Sequence, residues 1–183
     1  MAFAFNFSGM LSFASCVALA ATISATGCIA TNPVEFSEAQ NYPPSVVSQP
    51  TAEYPLREIG QLDLSVSAEE ELPLDVVIRD PNVDQTLEYR IFLNSPPPPA
   101  QEIPIDADII EPQGGSVERP ETFRVPHSLL VPGVCNKIEL VVVGNFASFV
   151  EPRRPVEEGD FDDRVWWIEV IDADNPVVEV ECR

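Results

Sequence analysis

Four cysteines, one histidine and 30 acidic side chains carry whatever chemistry this 183-residue chain can do. A thiol nucleophile needs a positioned base and a third group to orient that base. His127 lies eight residues before Cys135 across a Pro-Gly corner, with no orienting residue beside it, so the pair does not read as a catalytic dyad. The carboxylates suggest two other chemistries. IDAD occurs at 105–108 and again at 171–174, and Asp80, Asp84, Asp160, Asp162 and Asp163 fall near expected loops. Hard oxygens converging from loops suit calcium, whereas a pair fixed across a cleft suits glycoside hydrolysis. EF-hand spacing is missing, so no metal ligand is assigned. Short connections between elements would leave little cleft. A serine elbow, a His-rich metal motif and a Gly-rich phosphate loop are missing too. The sequence therefore reads as a non-enzyme without a cofactor.

The acidic residues face only 10 Lys and Arg, for a net charge of −20. Such a surface repels phosphate backbones and anionic headgroups, which speaks against nucleic-acid binding and against docking to membranes through a basic patch. The composition also resembles that of salt-adapted proteins, whose self-repulsion is screened by counterions.

Residues 1–27 carry no charged side chain, and residues 10–23, MLSFASCVALAATI, form an apolar run. It is shorter than the about 20 residues of a membrane span and has the length of a signal peptide. The run leads into Ala25-Thr26-Gly27-Cys28, which resembles the lipobox of bacterial lipoproteins, with Ala25 where leucine is usual. In that family the cysteine thiol takes a diacylglycerol and the signal peptidase cuts in front of it. The resemblance implies a signal peptide over 1–27, a lipid on Cys28 and a membrane as partner through that lipid. It places the protein in the bacterial cell envelope. Ile29 follows the cysteine in place of the aspartate that retains such proteins at the inner membrane, which implies the outer membrane. Cys16 falls in the signal and Cys28 at the cut, leaving Cys135 and Cys182 as an even pair in an oxidising compartment. A disulfide between them is expected.

Residues 28–60 are rich in Pro, Ser, Thr, Asn and Gln, and Pro33, Pro43, Pro44, Pro50 and Pro55 favour extended chain over helix. The segment reads as a flexible tether, with an ordered strand around 42–47 as the alternative. Beyond residue 60 the apolar period becomes two. In LPLDVVIR, Leu72, Leu74, Val76 and Ile78 share one face; in LEYRIFL, Leu87, Tyr89, Ile91 and Leu93 stand opposite Glu88 and Arg90. The turn signal DPNVDQ between them predicts a hairpin-like pair. Further strands are expected at 61–67, 105–111, 122–126, 136–144, 165–171 and 177–182, with the prolines of 96–99 as a stiff connection. The expected fold is all-β, an antiparallel sandwich of about seven or eight strands over residues 61–183.

TFRVPHSLLVPGVCNKIELVVVGNF (122–146) is similar to the E strand, E–F corner and F strand of immunoglobulin, fibronectin type III and cadherin-like domains. DVVIRDPNVDQTLEYRIFL (75–93) resembles their B–C hairpin. This resemblance implies an Ig-like fold, which serves adhesion, scaffolding and enzyme-accessory roles alike. Trp166 and Trp167 are adjacent, so in a strand they face opposite sides. One is expected in the core, while the other offers a contact for an envelope protein or a glycan. Arg153, Arg154 and Arg164 sit near EEGDFDD, where neutralising local acids is the expected role. The resulting expectation is an envelope-anchored display or binding module. Its alternatives are a calcium-dependent adhesion module and a carbohydrate-binding accessory domain.

Overall fold

The computed structural model describes residues 41–95, 102–171 and 182. The signal segment, Cys28, the tether as far as residue 40, the proline run 96–99 and the last expected strand up to residue 181 lie outside the described residues. The rest of the chain is all-β. In chain order the strands are β1 (Ser45–Ser48), β2 (Ile59–Asp63), β3 (Glu71–Arg79), β4 (Leu87–Leu93), β5 (Asp106–Ile110), β6 (Glu118–Pro126), β7 (Cys135–Val143) and β8 (Phe161–Ile171). One sheet has the order β1-β3-β6, the other β2-β8-β7-β4-β5.

The period-two pattern becomes the core directly. Leu72, Leu74, Val76 and Ile78 of β3 are fully buried and join Phe123 and Val125 of β6. From the other sheet come Leu87 and Ile91 of β4, Ile138, Leu140 and Val142 of β7, and Trp166, Ile168 and Val170 of β8. These side chains form one cluster between the sheets. Each large aliphatic residue taken out of water there contributes about 1.5–3 kcal/mol.

Four expectations are corrected. First, the stretch 41–60 is not all tether. β1 pairs antiparallel with β3, and β8 fastens β1's backbone from the other sheet. The amide of Val46 donates to Asp162 Oδ2 at 2.7 Å, and Arg164 Nε donates to the Val46 carbonyl at 2.9 Å. Prolines flank β1 and leave Ser45–Ser48 itself free to pair.

Second, β3 and β4 are not a hairpin, because they belong to different sheets. Asp80 turns the chain inward. Its side chain accepts the Asn82 amide at 2.8 Å and pairs with Arg119 at 2.9 Å, both partners being fully buried. That ion pair fixes the crossing from one sheet to the other. Burial raises the Asp80 carboxyl above its ordinary pKa, against the lowering hydrogen bond from Asn82 and charge of Arg119.

Third, the sheets are not wholly antiparallel, since β2 runs parallel to β8. β2 also stops at Asp63, whose carboxylate accepts both the amide and the hydroxyl of Ser65 and turns the chain. Fourth, the connections are not uniformly short. Residues 144–160 join β7 to β8, longer than the about 12–15 residues beyond which irregular loops become uncommon and are often functional.

Candidate interaction site

The long connection packs on the outer face of the five-stranded sheet. Alternation along β4 puts Glu88, Arg90 and Phe92 on that face, and each holds a different part of the loop. Glu88 Oε2 accepts the amide of Phe146 at 3.0 Å. Arg90 Nη1 donates to the carbonyls of Ser148 at 3.1 Å and Pro152 at 2.9 Å. Phe92 lies under the Arg153 guanidinium, which is 4.1 Å from its ring centroid. β7 supplies Val141 and Val143, which bury with Phe92 and Phe146 in a second, smaller apolar cluster.

Arg90 is the centre of the arrangement. The alternation placed it on a solvent face, yet it is 5% exposed, because the loop closes over it. Its guanidinium lies 3.9 Å from the Phe146 centroid and 4.8 Å from that of Phe149. Burial lowers its pKa against the raising charge of Glu88, but an arginine stays charged, and among the described residues its hydrogen bonds go to carbonyls. The carbonyl oxygens and ring faces take the place of water around that charge. A desolvated contact between a cation and a ring is worth about 2 kcal/mol.

Arg153 fastens the far arm. It pairs with Glu102, donates to Ser95 Oγ at 3.0 Å and meets Glu139 Oε2 at 3.0 Å. Lys137 reaches the other Glu139 oxygen at 2.8 Å. Burial acts to raise Glu139, but the hydrogen bond from Lys137 and the charges of Arg153 and Lys137 outweigh it and hold the carboxyl below its ordinary value.

Within the loop, two short arms pair. The amide of Ala147 donates to the Arg154 carbonyl at 2.9 Å, that of Val156 to the Asn145 carbonyl at 2.8 Å, and Phe146 bridges Pro155. Ser148 Oγ accepts the Glu151 amide at 3.1 Å, and the amide of Arg154 donates to the Glu151 carbonyl at 3.1 Å. At the tip of this braced structure stand Phe149 and Val150, 81% and 83% exposed. They are the two most exposed large apolar side chains among the described residues.

Sequence reasoning missed this site. Its signals were VVV at 141–143, apolar on both faces of one strand, and a following run with phenylalanines at 146 and 149. A strand buried on both faces needs a cover on each side.

The residues singled out from sequence are placed elsewhere. Cys28 lies outside the described residues. Cys135 and Cys182 form a disulfide with Cα atoms 5.4 Å apart, so Cys135 has no thiol to act with His127, which sits in a 3₁₀ turn and donates its amide to Glu70. Trp166 is the core member of its pair, 1% exposed, with Nε1 donating to the Tyr54 carbonyl at 3.0 Å. It offers no contact surface. Trp167 is half-buried on the outer face, with the Lys137 ammonium 6.0 Å from its ring centroid. Arg154 pairs with Glu151 and Arg164 with Asp162, so these arginines sit against local acids. Of the suspected calcium ligands, Asp80 and Asp162 are engaged with arginines, and Asp106 accepts the Tyr89 hydroxyl at 2.9 Å. Among the described residues no group of three or more His, Cys, Asp or Glu side chains could hold a metal ion.

No protein-family model matches the chain, and no curated protein matches it.

Proposed function

We propose that this chain is an envelope-anchored binding or display module, held to the bacterial outer membrane by a lipid on Cys28 and making its contacts through the braced loop 145–156. The observation that carries the reading is the loop itself. Two mostly buried arginines, Arg90 and Arg153, hold a tip whose Phe149 and Val150 are left largely exposed. A loop that served only to join two strands would need neither brace, and its phenylalanine would gain by packing.

The reading includes an Ig-like fold, which would suit this role. With β1, β3 and β6 taken as strands A, B and E, and β4, β7 and β8 as C, F and G, the strand orders are those an immunoglobulin-like plan of A-B-E facing C-F-G would give, which supports this reading. In that plan the loops at one end of a rigid scaffold carry recognition. Lipidation of Cys28 would give anchoring through acyl chains, and residues 29–40 would give reach.

The test is the intact mass of the protein isolated from the envelope, before and after reduction. We expect a chain beginning at Cys28 that carries diacylglycerol and gains two hydrogens on reduction. A lipid-free chain in the soluble fraction would reject the anchor.

A further inference from the structure

We propose that Phe149 and Val150 insert as a pair into an apolar pocket of a partner protein whose rim is basic. This deepens the reading of the chain as a binding module and rests on it. Single exposed apolar residues are ordinary on a protein surface. Here two neighbours stand out together on a loop already ordered by its own hydrogen bonds and by Arg90. Pre-ordering removes most of the entropy that a flexible tip would lose on docking. An aromatic side chain desolvated in a pocket is the usual anchor of such contacts.

The charge decides what surrounds the pocket. At the tip Glu151 is tied to Arg154 and leaves that pair neutral. Next along the loop come the exposed Glu157 and Glu158, on a chain of net charge −20. A partner approaching this chain meets that net negative field, so a basic rim speeds encounter and an acidic one is rejected. A second copy of this chain or an anionic lipid surface meets the same repulsion.

The experiment places a photo-reactive residue in the full chain by Phe149→p-benzoylphenylalanine. Control chains carry it at Trp167 and Val66, and all are irradiated in envelope preparations. We expect one discrete protein adduct from position 149. It should fall at least about tenfold in about 1 M salt, where the Debye length is about 3 Å, and likewise on Glu157→Lys with Glu158→Lys. Excess unlabelled chain should compete, whereas the Phe149→Ser, Val150→Ser chain, shown to be folded by circular dichroism, should not. Adducts with lipid, adducts with a second copy, or a protein adduct indifferent to salt and to the two charge reversals would each overturn the proposal. A protein adduct from position 167 or 66 with none from 149 would reject the tip and leave the binding-module reading standing. Adducts from no position would count against both.

Discussion

The molecule has two apolar clusters that differ in how they are held. The cluster between the sheets is built from aliphatic and aromatic side chains of all eight strands and neighbouring turns, and apolar packing makes up most of it. The cluster under the loop has only Phe92, Val141 and Val143 with Phe146 against them. It is closed by charge: Arg90 on carbonyls, Arg153 on Glu139 and Glu102. The contrast separates two tasks. A core that must be stable is mostly apolar, whereas a surface loop that must hold one shape relies on directional contacts, since a small apolar patch fixes no geometry.

That contrast can be broken experimentally, most severely at Trp166. Trp166→Ala removes the largest side chain of the inter-sheet cluster and the hydrogen bond to Tyr54, and should cost about 3–5 kcal/mol in urea unfolding. A loss below about 1 kcal/mol would mean that the two clusters are not so different. Opening the disulfide comes next. Cys135 and Cys182 are 47 residues apart in sequence, and Cys135→Ser with Cys182→Ser should lower global stability by about 2–4 kcal/mol without altering the contacts of residues 145–156.

Acid should act on the two clusters with opposite sign. Burial raises the carboxyls of Asp80, Glu121 and Asp162 above their ordinary values, so protonating them as pH falls from neutral favours the fold. Glu139 is shifted down. Its contribution is complete above the ordinary glutamate value and is lost as pH falls through the lowered one. Chemical shifts of the loop should therefore change at a more acidic pH than those at Asp80. Glu139→Gln should flatten the loop's acid response and leave the Asp80 response in place. The smallest effect belongs to the tip. Val150→Ser should change unfolding free energy by no more than about 0.5 kcal/mol, and Phe149→Ser, whose exposed ring also faces Arg90, by about 0.5–1 kcal/mol, as measured by urea midpoints.

The same contrast explains what the sequence disclosed. Alternation in LPLDVVIR and LEYRIFL located β3 and β4 because burial on one face leaves a period of two. Which sheet each strand joined was hidden, since it depends on Asp80 meeting Arg119, 39 positions away. Arg90 was assigned to solvent by the rule that located its neighbours. Nothing local distinguishes an arginine under a loop from one in water, because the covering residues lie about 60 positions further along. Trp166 and Trp167 drew attention by residue type, whereas Phe149 and Val150 are notable only through what holds them.

The most direct test of the braced loop is amide hydrogen exchange across residues 145–156, in the native chain and in Arg90→Met. We expect the amides of Ala147, Arg154 and Val156, each hydrogen-bonded within the loop, to be protected in the native chain. In the variant they should exchange at least about tenfold faster, the equivalent of about 1.4 kcal/mol, while those of β7 and β8 keep their protection. Exchange of these three amides at free-chain rates in the native protein would contradict a pre-ordered tip, and with it the reason for assigning contact to Phe149 and Val150.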